Sequence, residues 1–243
     1  MTDPLVLPGH GPVLLLCDHA SDVVPGAIAL GVPPEAMARH IAIDIGAGPL
    51  THALAGDLGA PAVLGGVSRL VIDLHREPDH PALIPLESDG QAVPGNRGAD
   101  RAARIARFHA PYHRAVAAAV RAHRPMLIVA IHSFTRRLAT AHGPPRAWDC
   151  GVLYNRDTRA ARPAIAFLRG EGLIVGDNEP YSGRLLNATL NRHAEANGIA
   201  SLSLEVGNDL IAEPAGVARW TKIIGRMVVT VRNSLASNDP PAT

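Results

Sequence analysis

The sequence predicts an α/β protein, a single domain spanning residues 1–243, with a sheet covered by helices on both faces. Short apolar runs alternate with helical stretches from one end of the chain to the other. Hydrophobic residues make up 47% and charged residues 19%, the profile of a chain that buries a core and not of a disordered one. A length of 243 residues leaves ample room for that core.

The elements follow in order. Residues 13–17 read as a buried strand and 34–58 as a helical stretch. Residues 61–64 and 70–74 read as strands, and 99–123 as a helix leading into a strand over 126–131. Strands over 151–154, 173–175 and 201–206 then alternate with helices over 159–170, 187–197 and 216–234. In the stretch 99–123, Ile105, Phe108, Tyr112, Val116 and Val120 recur at helical spacing, with Arg101, Arg104, Arg107 and Arg114 on a solvated side. Pro111 is expected to kink or divide it. Residues 76–99 carry Pro78, Pro81, Pro85, Gly90, Pro94 and Gly95 with little periodicity, a loop long enough to cover a site.

Composition narrows the function. Lys and Arg number 23 against 22 for Asp and Glu, a formal charge of +1, so no field for holding nucleic acid or an anionic membrane is expected and the partner is a small molecule. Aromatic residues, at 3%, are too few for a carbohydrate or nucleobase stacking platform. There is no P-loop and no dinucleotide fingerprint. Cys17 and Cys150 adjoin apolar runs, which suits buried thiols in a reducing compartment. Residues 1–11 have no basic start before an apolar core, and no apolar run reaches the roughly 18 residues of a membrane span, so a cytoplasmic location is expected.

Two histidine-bearing segments carry the chemistry, Cys17-Asp18-His19-Ala20-Ser21-Asp22 and Ile131-His132-Ser133-Phe134-Thr135. Each follows a strand-like run, and in an open α/β sheet the carboxyl ends of separate strands converge on one crevice. His19 and His132, joined by a carboxylate, are therefore the expected metal ligands, and Zn2+ with three protein ligands and one open position is the expected ion, with iron or cobalt as substitutes. His52, His80, His109, His113, His123 and His142 have no carboxylate at ligand spacing and read as solvated or capping residues, whereas His193 is positioned to line the pocket.

These two segments, together with His40-Ile41-Ala42-Ile43-Asp44-Ile45-Gly46-Ala47, Arg69-Leu70-Val71-Ile72-Asp73-Leu74-His75-Arg76, Gly176-Asp177-Asn178-Glu179-Pro180-Tyr181-Ser182-Gly183 and Leu204-Glu205, resemble the N-formylglutamate amidohydrolase family. The resemblance implies a mixed, mainly parallel sheet of the zinc exopeptidase type, a single catalytic zinc, and hydrolysis of the amide of an N-acyl amino acid such as N-formylglutamate. For the third ligand it leaves two carboxylates open. Asp22 stands three residues after His19, close to the His-x-x-Glu spacing of zinc carboxypeptidases, and Asp44 lies in a segment that matches the family's own pattern.

Glu205 resembles the family's general base. Arg76 leads as the clamp on the substrate's carboxylate, because a guanidinium binds that group through two parallel hydrogen bonds. Arg69, Arg136 and Arg184 are candidate second clamps or oxyanion stabilisers, Ser133 and Asn178 candidate substrate contacts, and Asp73 and Asn178 orient their neighbours. The chain departs from the family at His75, usually Asn, at Arg136, usually Pro, and at Val206 and Gly207, where an Arg is frequent. Alternatives to deacylation are a peptidase or other metal-dependent hydrolase on the same scaffold, and a non-catalytic small-anion binding protein.

Overall fold

The architecture, taken from a computed structural model that describes residues 2–238, rests on one sheet in the strand order β1-β3-β2-β6-β9-β7-β8. The strands are β1 (Leu5–Leu7), β2 (Val13–Cys17), β3 (Ala62–Leu64), β6 (Leu127–Phe134), β7 (Cys150–Leu153), β8 (Val175–Asp177) and β9 (Ala200–Gly207). A separate small hairpin joins β4 (Glu87–Ser88) to β5 (Gln91–Ala92). β3, β2, β6 and β9 run parallel, as do β7 and β8, whereas β1 on β3 and β7 on β9 are antiparallel. The sheet is thus mixed and mainly parallel, as the family resemblance implies.

The helices are α1 (Pro34–Met37), α2 (Ala47–Leu58), α3 (Arg101–Arg104), α4 (Ala110–His123), α5 (Ala161–Gly170), α6 (Ala188–His193) and α7 (Pro214–Asn238). Side chains alternate between the two faces of a strand, and the central strands bury both. Val13, Leu15 and Cys17 of β2 and Leu127, Val129 and Ile131 of β6 pack toward α2, α5 and α7. Leu14, Leu16, Ile128 and Ala130 pack into a second core with α4, α6 and residues 67–93. β9 breaks the symmetry: Leu202, Leu204 and Val206 join the first core, and the alternate positions Ser201, Ser203 and Glu205 put polar groups on the opposite face. Cys17 and Cys150 are buried and free. Among the described residues no helix is long and apolar enough to cross a membrane.

Two sequence expectations are revised and a third is met. Residues 70–74 are not a strand: Leu70, Val71, Ile72 and Leu74 are buried on the second core, but their backbone is satisfied by Asn96, which donates to Leu70 O, and Arg104, which donates to Val71 O. An apolar run signals burial, and here side chains replace the ladder that would have made it a strand. The stretch 34–58 is interrupted between α1 and α2, where Gly46 takes the left-handed φ of 79° and turns Asp44 inward. As expected from Pro111, whose missing N–H cannot serve the ladder, the helix over 99–123 is divided, by a π-helical turn at Ile105–His109 just ahead of that proline.

Gly46 gives the fold a sharp test. A Cβ there would lie 2.2 Å from the carbonyl oxygen of Ile211, on a backbone conformation that side chains rarely adopt. Gly46→Ala is expected to lower the unfolding free energy by about 1–3 kcal/mol or more, measured by urea denaturation.

Candidate active site

The carboxyl ends of β2, β6 and β9 meet above the second core, and the loop after β3 closes over them. β2 ends at Cys17, so Asp18 and His19 leave its tip. β6 and β9 are in parallel register with His132 beside Glu205, which puts both side chains on one face. A cavity of about 130 Å³ opens here, lined among others by His19, Asp44, Arg69, His75, Arg76 and His132, with Glu205, Ser133 and Tyr181 completing it.

Asp44 is the hub. Its Oδ2 lies 2.9 Å from His132 Nδ1 and 3.3 Å from His19 Nδ1, and its Oδ1 accepts from Arg69 at 3.0 Å. His19 Nε2 lies 2.8 Å from Asp73 Oδ1, and Asp73 Oδ2 accepts from Arg69 at 3.1 Å. Both nitrogens of His19 face carboxylates, which only accept, and the shorter contact makes Asp73 the closer partner for the proton of a neutral ring. His132 Nε2 lies 3.1 Å from Asp18 Oδ2, on the side of the ring opposite Asp44.

The charges follow from burial and crowding. Burial alone would raise the Asp44 carboxyl, but His19, His132 and Arg69 hold it far below the usual carboxylate range. Asp73 is lowered in the same way: burial raises it, and His19 and Arg69 outweigh that. Burial and Arg69 oppose a charge on His19, yet Asp73 and Asp44 raise it, and Asp44 and Asp18 raise His132 against its own burial. Glu205 moves the other way. Buried, and next to the negative Asp44, it is pushed up to about 7, with His132 opposing.

The structure brings His19, His132, Asp44, Glu205, Arg69, Arg76, Ser133 and Asp73 together around the cavity. One atom each of His19, Asp44 and His132 able to bind a metal lies within 4.8 Å of the others. Asp22 is exposed and joins no such group, because the chain after His19 turns away to solvent; spacing in sequence is not spacing in space. Arg136 does not line the cavity: it is spent on Asp209 Oδ1 at 2.9 Å and on the carbonyl of Trp148. Arg184 is exposed and also outside it. Asn178 is a staple, its Oδ1 accepting from the backbone of Tyr154 and Gly183. Ser133 lines the cavity but donates to Ile45 O at 2.8 Å.

Sequence reasoning gave no role to Asp18, Tyr181 or Thr189, and treated His75 only as a departure. Asp18, fully buried beside His19, was legible as an acid-imidazole pair; Thr189 on α6 had no local signal. His109 and His113 are not solvated but buried, and His193 lies behind the cavity. His109 Nε2 and His113 Nε2 face the carbonyls of Arg76 at 2.9 Å and Leu74 at 3.1 Å, and His193 Nε2 lies 2.8 Å from His113 Nδ1. Carbonyls only accept, so with its proton on Nε2 His113 accepts from His193 at Nδ1, while the Nε2 atoms of His109 and His113 lie 3.1 Å apart. His52 and His142 are exposed, and His80 caps a turn by accepting from Ala82 N.

Together, sheet and cavity define an α/β protein with a buried acid-imidazole centre at the strand ends, suited to polar chemistry on a small molecule. The family model described as N-formylglutamate amidohydrolase matches residues 11–212, and the chain belongs to that family, as an enzyme acting on amides. The gene product Atu2144 from Agrobacterium tumefaciens is 30% identical, with a TM-score of 0.89 over 98% of this chain and 96% of that one. The N-formylglutamate amidohydrolase from Ralstonia eutropha JMP134 shares the fold at 20% identity, with a TM-score of 0.71 over 96% of this chain and 97% of that one. No curated protein matches the chain in sequence.

The histidines behind the cavity carry a pH signature. Burial pushes His113 down to about 3 and His193 to about 4, below the 6.5 of a free imidazole, so the unfolded chain binds protons that the folded one refuses. Their contribution is complete above about pH 6.5 and lost as the pH falls through their folded values. His113→Leu is expected to flatten the fall in urea midpoint between pH 6.5 and 4 relative to wild type.

Proposed function

We propose that the protein is a zinc-dependent deacylase of N-acyl amino acids, with N-formylglutamate as the representative substrate. The observation that carries this reading is the gathering of one potential ligand atom each from His19, Asp44 and His132 within 4.8 Å of one another, in a family of amide hydrolases. Two nitrogens and one carboxylate oxygen are a fitting set for zinc. The distances of 2.9 and 3.3 Å match the roughly 3.3 Å between neighbouring ligands of a tetrahedral ion bonded at about 2.0–2.1 Å. Asp73, bonded to the far nitrogen of His19, holds that ring in the tautomer a ligand needs. Asp44 is favoured over Asp22 as the third ligand. A zinc so held supplies Lewis-acid polarisation of the amide carbonyl and acidifies water to a pKa of about 7.

The chain's own groups do the rest. Glu205, pushed up to about 7 by burial, is poised both to take a proton from the attacking water and to give it to the leaving nitrogen. Arg69 fixes the two carboxylates, giving one N–H to Asp44 and one to Asp73 and keeping its other donors beside the cavity. Arg76 lines the cavity with its nearest carboxylate, Asp73 Oδ2, at 3.7 Å from Nε, beyond hydrogen-bond reach, so its guanidinium is available for a substrate carboxylate. The 130 Å³ cavity is small beside the roughly 300–1,000 Å³ of drug-sized pockets, which favours a short acyl group over a peptide. Two buried free thiols suit a cytoplasmic setting.

The assay is release of free amino acid from a panel of N-formyl, N-acetyl and dipeptide substrates by zinc-loaded protein. N-formyl amino acids with an acidic side chain are expected to turn over fastest, and cleavage of dipeptides alone would sink the reading. Glu205→Gln is expected to lower kcat by about 10²–10⁴-fold with zinc content retained. Arg76→Ala is expected to act chiefly on KM, and Asp44→Ala to lose the ion held by His19, Asp44 and His132, read as one zinc equivalent fewer than wild type by elemental analysis.

A further inference from the structure

The proposed chemistry uses one nitrogen of His132 and leaves the other unexplained. His132 Nε2 and Asp18 Oδ2 are both buried without a hydrogen-bond partner, although they lie 3.1 Å apart. At that distance a ring N–H and a carboxylate oxygen bond when the oxygen lies near the N–H axis, and this pair is off that axis. Two ligands of one tetrahedral ion are off axis in the same way, since each lone pair points at the ion and not at the other ligand.

His75 completes the set. Its Nδ1 lies 3.1 Å from Asp18 Oδ2. Its Nε2 faces the Leu186 carbonyl at 3.4 Å, and in the tautomer with the ring proton on that nitrogen Nδ1 presents a lone pair toward Asp18 Oδ2. The one proton of Thr189 goes to Asp18 Oδ1 at 2.7 Å, so Thr189 Oγ1, 3.1 Å from His75 Nδ1, offers that nitrogen another lone pair. With the proton of a neutral His132 on Nδ1, lone pairs of Asp18 Oδ2, His75 Nδ1 and His132 Nε2 converge, an arrangement that a cation relieves. The ligating atoms of Asp18, His75 and His132 all lie within 4.8 Å of one another.

We propose that Asp18 Oδ2, His75 Nδ1 and His132 Nε2 form a second site for a divalent transition metal, on the opposite edge of the His132 ring from Asp44. One carboxylate oxygen and two imidazole nitrogens select a zinc-like ion over magnesium or calcium. With both sites filled, His132 gives up its remaining proton and its ring bridges the two ions. His75 lines the cavity and is the point of entry. This goes beyond the hydrolytic reading, because the second site needs nothing from His19, Asp44 or Glu205.

The test is zinc bound per chain after equilibration at buffered free zinc, with His75→Asn and Asp44→Asn alongside wild type. The expected result is two equivalents in wild type and one in each variant. Wild type holding one equivalent that survives in His75→Asn overturns the second site and leaves the Asp44 site standing. One equivalent lost in His75→Asn and kept in Asp44→Asn supports the second site and counts against the Asp44 one. Two equivalents retained in His75→Asn overturns it. Zinc-edge anomalous scattering from wild-type crystals decides the matter whether or not the variants fold: a peak bounded by Asp18, His75 and His132 is expected, and its absence at saturating zinc overturns the proposal.

Discussion

The contact on which the site depends is the grip of Asp44 on two imidazoles. One oxygen stands between His19 Nδ1 and His132 Nδ1 while the other is pinned by Arg69. Burying that carboxylate without partners would cost several kcal/mol, so its neighbours are obligatory and not ornamental. Arg69 extends the arrangement by bonding Asp73, which in turn fixes the far side of His19. Charge of one sign is held in place by charge of the other, and the result is a rigid crevice whose lone pairs point inward.

The sheet makes this possible through its two faces. Along β9 the apolar positions lock the strand onto α7 and its neighbours, which frees Ser203 and Glu205 to be polar on the other side. Parallel pairing then sets Glu205 beside His132, and a slip of one residue would turn either side chain into the opposite core. The elevated affinity of Glu205 for its proton comes from that placement: it is sunk in the sheet and shares its surroundings with Asp44.

The long loop is held from behind. His109 and His113 reach the carbonyls of Arg76 and Leu74, and Arg104 and Asn96 hold those of Val71 and Leu70. Side chains of the divided helix and of the loop itself thereby fix a segment without regular secondary structure, and Asp73, His75 and Arg76 are presented to the cavity on a backbone with little freedom. These imidazoles are held neutral because burial outweighs the pull of Asp18 and Glu77 on a charge there.

Apolar periodicity in the sequence determined β2, β6, β9 and the helices that cover them, because burial writes a local pattern of spacing two or 3.6. The segments holding His19, His132, Asp44 and Glu205 were also legible, since strand ends are where such groups gather. Tertiary structure alone decided the rest. Asp44 and not Asp22 meets the imidazoles because a left-handed turn at Gly46 brings in a residue 25 positions from His19. Arg76 faces the cavity while Arg136 is consumed by Asp209, and His113 is buried although nothing near it in the chain says so. Each of these depends on which distant groups fill the space around a side chain, and that information is not carried by neighbours in sequence.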